Sequence, residues 1–157
     1  DKSINADNLI VEDLGEIREE TVKLRKRYGF TRQKILQFSI DLDNCYDKDN
    51  EDENVLIFPG NHDCNTIYGW YKTLDDEHKW KLKEFLRRNE CYDINVNIGI
   101  MQYLLKCKAK MPIIMVQDIL GLDETARINL PGTESDKNWS WKLIDFEDFK
   151  ERIKDWK

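Results

Sequence analysis

The sequence predicts an α/β protein built on a parallel sheet, and three observations carry that expectation. Short, near-continuous apolar runs at Leu9–Val11, Lys34–Ile40, Val55–Phe58 and Pro112–Val116 alternate with longer charged segments. Such runs suit strands covered on both faces, as in a parallel sheet flanked by helices. The order is strand, helix, strand, loop, strand, two helices, strand, loop, helix, which is that of βα units. Each run also ends in polar residues able to do chemistry: Glu12-Asp13, Asp41 with Asp43, His62-Asp63 and Gln117-Asp118. In parallel α/β folds the carboxyl ends of the strands hold the active site. The four units found here are half of what an eight-stranded barrel needs.

Local signals justify the elements in turn. Leu9–Val11 is too short for a helix and stops at Glu12-Asp13 and Gly15. Residues Arg18–Tyr28 set Val22, Leu24 and Tyr28 among charges, an amphipathic helix that Gly29 is suited to end. "KILQFSI" is the second strand, ending in "DLD"; residues 43–54, "DNCYDKDNEDEN", form an acidic loop. Val55–Phe58 is the third strand and meets a Pro-Gly turn. From Leu74, "LDDEHKWKLKEFLRR" puts Trp80, Leu82, Phe85 and Leu86 on one helical face. Residues 94–106 form a more buried helix, Pro112–Val116 the fourth strand, and residues 146–156 a short amphipathic helix. No internal repeat is present.

The bulk properties exclude several classes. At 157 residues the chain has the length of one domain with a sizeable core. Its net charge is −6 and its charges are mixed along the chain, which gives nucleic acid or an anionic membrane no electrostatic footing. No apolar run reaches the length of a membrane span, and no signal-peptide pattern opens the chain. Cys45, Cys64, Cys91 and Cys107 are far apart and form no C-x-x-C, so they read as reduced thiols of a cytoplasmic protein, with no metal or cofactor expected. The opening "DKSINADNLIVEDLG" has no initiator Met and enters an apolar strand at once, which reads as the start of a fragment.

Glu12 and Asp63 are the strongest pair of carboxylates. Glycosyl transfer needs one carboxyl kept protonated and one kept ionised around a C–O bond, and strand ends would hold both on rigid elements. The plainer reading is that such acids open the next helix and favour its dipole. His62 is by itself as much a structural histidine as a functional one. The tryptophans of "NWSWKL" suit sugar stacking, but their alternation also fits one buried and one exposed face.

Taken in order, "VEDLG" (11–15), "ILQFSID" (35–41), "FPGNHDCNTIYGW" (58–70), "QDILGLDETARINLPGT" (117–133) and "NWSWKL" (138–143) are more specific than any one of them. The chain resembles the C-terminal part of the 4-α-glucanotransferases of glycoside hydrolase family 77. That family carries A-E-D-L-G, L-Q-F, G-T-H-D-N-D-T with G-W, Q-D-L-L-G-L with A-R-M-N-x-P-G-T, and N-W-x-W-R. The resemblance implies an α/β fold that is the C-terminal half of a (β/α)8 barrel, strands five to eight, with residues 1–157 forming part of a single catalytic domain. It also implies retaining transfer of α-1,4-glucan segments between maltooligosaccharides.

Carried over by motif, the resemblance makes Glu12 the general acid/base and Asp63 the transition-state stabiliser. It puts His62 on a sugar hydroxyl, Asn129 and Pro131 in the sugar-binding wall, and Asp41 on a further hydroxyl. The implied partners are maltooligosaccharides or glucans and the N-terminal half of the same barrel. Asn61 stands where the family has Thr, and Cys64-Asn65 replace Asn-Asp. The family's nucleophilic carboxylate lies upstream of residue 1, so the chain alone is expected to be inactive. The alternative is a non-catalytic half-barrel that binds glucans or assembles with a partner.

Overall fold

The computed structural model describes residues 5–12, 17–48, 53–91 and 94–154. Four parallel strands form its sheet: β1 (Ile10–Glu12), β2 (Thr31–Ile35), β5 (Val55–Phe58) and β6 (Met111–Pro112), in the order β1-β2-β5-β6. Between them, β3 (Ile40–Asp41) and β4 (Tyr46–Asp47) pair antiparallel as a separate hairpin. The helices are α1 (Glu19–Tyr28), α2 (Leu36–Ser39), α3 (Ile67–Thr73), α4 (Asp76–Arg88), α5 (Val96–Lys106), α6 (Val116–Ile119) and α7 (Phe146–Lys154). Short 3-10 turns lie at Ala6–Asn8 and Glu124–Ala126. The helix expected at 18–28 is present and ends on Gly29 at φ 67°, where a side chain would be strained.

The sheet register decides which side chains share a face. Lys34 pairs with Ile57 and Ile57 with Pro112, and Ile57 lies in the core with Leu82, Phe85, Ile100 and Leu104 from α4 and α5. That row therefore faces the helices. Strand side chains alternate between faces, so the neighbouring row, Glu12, Gln33 and Leu56, belongs to the opposite face. The helices do not cover both faces equally: α1 and α7 contribute no buried residue, and the core is built by α3, α4 and α5.

The second strand departs from expectation. It occupies Thr31–Ile35, "TRQKI", and the chain turns helical at Leu36. Ladder pairing to β5 stops at Ile35 with Phe58, and the Gln37 amide donates to the Pro59 carbonyl, which closes the turn. Phe38, an apparent core residue of "KILQFSI", is 74% exposed. The charged Lys34 is tolerated because its Nζ lies 2.7 Å from Asp47 Oδ2, with side chains only 3% and 0% exposed. Ser39 and Tyr103 hydroxyls donate to the same carboxylate, at 2.6 and 2.9 Å. Burial, then that carboxylate, push the Tyr103 phenol pKa well up.

Three further expectations are corrected. The acidic stretch 43–54 is not wholly loop, because Tyr46–Asp47 forms β4; residues 49–52 lie outside the described residues. The fourth strand is Met111–Pro112, extended only by the Ile113 amide donating to Ile57, and Val116 already begins α6. Trp80 is 63% exposed while Leu82, Phe85 and Leu86 are buried, so the core-facing side of α4 is narrower than its apolar residues suggest. Helix α3 was not expected. Thr66 caps it by accepting from the Gly69 amide, and Gly69 is required because a Cβ there would lie 2.3 Å from Asn65 Oδ1.

Candidate active site

Glu12 closes β1, and the loop after β5 carries Asn61, His62 and Asp63. Both strands run parallel, so both sets lie at the carboxyl edge of one sheet, with β2 between them. Asn61 spans the gap. Its Nδ2 donates to Glu12 Oε1 at 3.3 Å, while its Oδ1 accepts from the Asp63 amide at 3.0 Å and the Cys64 thiol at 3.2 Å. A carboxamide can donate at one end and accept at the other, which a single threonine hydroxyl at this position could not do over the same span. Gly60 lets the loop turn tightly: a Cβ would sit 2.7 Å from both Cys64 Cβ and Gln37 Nε2. Burial pushes the Cys64 thiol pKa up, which leaves it an inert packing group at pH 7.

The segment 127–139 forms the other wall. Asn129 donates from its side chain to Asp63 Oδ1 at 2.7 Å and from its backbone to the His62 carbonyl at 3.1 Å. His62 Nε2 lies 3.5 Å from Asp63 Oδ1, and its ring packs on Trp139 at 5.2 Å between centroids. Trp139 is 65% exposed at φ 61°, an unusual conformation for a bulky residue, and its amide is held by the Ile128 carbonyl at 2.7 Å. Pro131 is exposed in the turn closed by Thr133 on the Leu130 carbonyl. A cleft of about 710 Å³ opens beside Asn129, lined also by Arg127, Leu130, Asn138 and Trp141.

Thus Glu12, His62, Asp63 and Asn129 are gathered by direct contact or through Asn61, while Pro131 stands two residues beyond Asn129 in an exposed turn. Asp41 is not joined to them. It sits in the β3–β4 hairpin, where both its oxygens accept from Asn44, and those bonds hold its pKa below the usual range. Asp13, which shared the strand end with Glu12, lies outside the described residues. Sequence reasoning missed Asn61 as a link, Trp139 as the partner of His62, and Arg127, whose guanidinium donates to the Asp63 and Asn129 carbonyls.

Asp118 was expected at a strand end. It instead stands in α6, buried, accepting from the Ile67 amide at 2.7 Å where α3 begins. Burial raises its pKa from 3.8 to about 7. A carboxyl whose folded pKa is raised stabilises the fold most below its unfolded value, and that contribution is lost as pH climbs through the folded one. Stability should therefore fall between about pH 4 and pH 7. Asp118→Asn, which keeps the acceptor and removes the charge, should flatten that decline and raise Tm at pH 8; thermal melts across that range check it.

Among the described residues no cluster of His, Cys, Asp and Glu is arranged to hold a metal, and no helix is long and apolar enough to cross a membrane. All four cysteines are free.

Acidic and amide side chains are gathered at the carboxyl edge of a parallel sheet, the place where α/β folds hold their sites. Residues 2–146 match the family described as 4-alpha-glucanotransferase, and the chain belongs to that family, glycoside hydrolase family 77. It is 36% identical over 138 residues to the chloroplastic/amyloplastic 4-alpha-glucanotransferase of Solanum tuberosum, covering 87% of this chain and 23% of that protein. It is 37% identical over 140 residues to the 4-alpha-glucanotransferase of Clostridium butyricum, covering 87% and 28%. The amylomaltase of Streptococcus agalactiae, solved in complex with acarbose, superposes with a TM-score of 0.76 at 27% identity, over 93% of this chain and 30% of that one. The chain thus spans about a quarter of the length of these curated relatives.

Proposed function

We propose that this chain supplies the C-terminal half of a (β/α)8 barrel, strands five to eight, in a retaining 4-α-glucanotransferase that moves α-1,4-glucan segments between maltooligosaccharides. The observation that carries this reading is the Asn61 bridge, which ties Glu12 to the Asp63 loop at one sheet edge, opposite the helix-covered face. In the reaction, Glu12 protonates the departing glycosidic oxygen as a carboxylate from the upstream half attacks the anomeric carbon. Glu12 then takes the proton of an acceptor hydroxyl, which displaces the enzyme carboxylate and restores the α-configuration. Asp63 and His62 hydrogen-bond the sugar ring as it flattens toward an oxocarbenium ion, and interactions that strengthen there lower the barrier. Asn129 orients Asp63, and Pro131 with the neighbouring cleft walls the sugar.

Among the described residues the outer edges of β1 and β6 pair with no strand, and Ile10 and Met111 on them are exposed. Open edges invite pairing, which suits closure by the remaining strands of the barrel. The reading is tested with the full-length protein and maltotriose. Glucose and maltopentaose should appear together. Failure to release glucose, with the protein folded, would refute the assignment and favour a half-barrel that only binds glucans.

A further inference from the structure

We infer that Arg127 is a positioning residue, whose guanidinium fork sets the Asp63 carboxylate against Asn129. The inference deepens the proposed function and rests on it. Arg127 Nη2 donates to the Asp63 carbonyl at 2.5 Å, and Nε donates to the Asn129 carbonyl at 2.7 Å. One planar group thereby holds the backbones of two residues that are 66 apart in sequence, and whose side chains meet at 2.7 Å. The Asn129 amide on the His62 carbonyl closes the same ring of contacts. No carboxylate among the described residues forms an ion pair with Arg127, so its fork is committed to these carbonyls. Its charge also lies close enough to act on the Cys64 thiol, which adjoins Asp63.

Geometry gives the role its content. The loop after β5 and the segment after α6 are separate excursions from the sheet, joined across the site by Arg127 and Asn129. A rigid two-donor fork fixes their separation, and a lysine ammonium at the end of a flexible stem cannot reproduce it. Among the described residues the Arg127 guanidinium hydrogen-bonds to backbone carbonyls only, so its role is assigned through Asp63 and Asn129. Misplacing a stabilising carboxylate by a fraction of an ångström lowers the rate of the chemical step more than it weakens ground-state binding.

Arg127→Met, Arg127→Lys and Asn129→Ala should be made singly, and Arg127→Met/Asn129→Ala together, in the full-length protein. Transfer from maltotriose is followed beside thermal melts. Loss of two charge-assisted bonds should lower kcat about 30-fold or more in Arg127→Met, with KM within about 3-fold. Arg127→Lys, which keeps the charge but not the fork, should recover part of the rate and melt close to the parent. The double variant should be no more than about 3-fold slower than the worse single, because both changes disable one unit. Independent, multiplying effects, or near-normal kcat in a folded Arg127→Lys and Arg127→Met, would overturn the positioning role and leave the transferase reading standing. A folded parent that forms no glucose and maltopentaose from maltotriose would overturn that reading and this role with it.

Discussion

Glu12→Gln in the full-length protein is expected to lower transfer from maltotriose by roughly 10²–10⁴-fold, the span a general acid/base contributes. Glutamine keeps the side chain's shape and can still meet Asn61, but it neither gives nor takes the proton. Binding of a maltooligosaccharide should change little, because the proposed sugar contacts lie on Asp63, His62 and Pro131 rather than on Glu12. A sugar fluoride as donor separates the two halves of the reaction. Fluoride departs without protonation, so the first step should survive in the variant and only the second should stall. Near-normal transfer from maltotriose by Glu12→Gln, with the same melting temperature, would remove Glu12 from the mechanism.

The second large effect concerns stability. Asp47→Leu should destabilise the fold by about 3–5 kcal/mol, because it leaves the Lys34 ammonium buried without its counter-charge. The Ser39 and Tyr103 hydroxyls lose their acceptor at the same time. This carboxylate is the joint between β2, the β3–β4 hairpin and α5, so its loss loosens three elements together. Lys34→Met/Asp47→Leu should recover a large part of the loss, since an apolar pair of similar size leaves no orphaned charge. Tyr103→Phe alone should cost only about 1 kcal/mol, one hydrogen bond. Denaturant melts of the four proteins provide the comparison. A fully stable Asp47→Leu would show that Lys34 reaches water or another partner.

These two residues also show where the sequence was legible. Val55–Phe58 is an uninterrupted apolar run, and it forms an interior strand of the parallel sheet, a strand as expected. "TRQKI" gave no such signal. Its charges argue against an interior strand unless Lys34 is known to meet Asp47, thirteen residues on, and that is a tertiary fact. The apolar "LQFS" drew the strand assignment forward for the same reason, although Phe38 points to solvent. Helix α3 had a readable cap in Thr66, but Gly69 and the aromatics around it obscured the helical pattern.

At the site, Glu12 and Asp63 were legible as strand-end acids, and Asn129 only through its motif. Arg127 and Asn61 were not. Their partners are backbone carbonyls, a backbone amide and a side chain 49 residues away, and no spacing rule reports such contacts. Asp41 entered the candidate group as the acid ending an apolar run and matching a motif, below Glu12 and Asp63 in strength. The hairpin that removes it from the group depends on pairing with Tyr46–Asp47 inside a stretch whose composition signals loop.

The most direct test of the division of roles uses the full-length Glu12→Gln protein and 5-fluoro-α-glucosyl fluoride. Fluoride leaves without an acid, the ring fluorine slows both steps, and the missing base stalls the second, so a covalent glycosyl-enzyme should accumulate. Proteolysis and mass spectrometry then locate the sugar. The label is expected on a carboxylate of the upstream half of the full-length protein, with Asp63 unmodified. A sugar ester on Asp63 would contradict it, making that residue the nucleophile rather than the stabiliser.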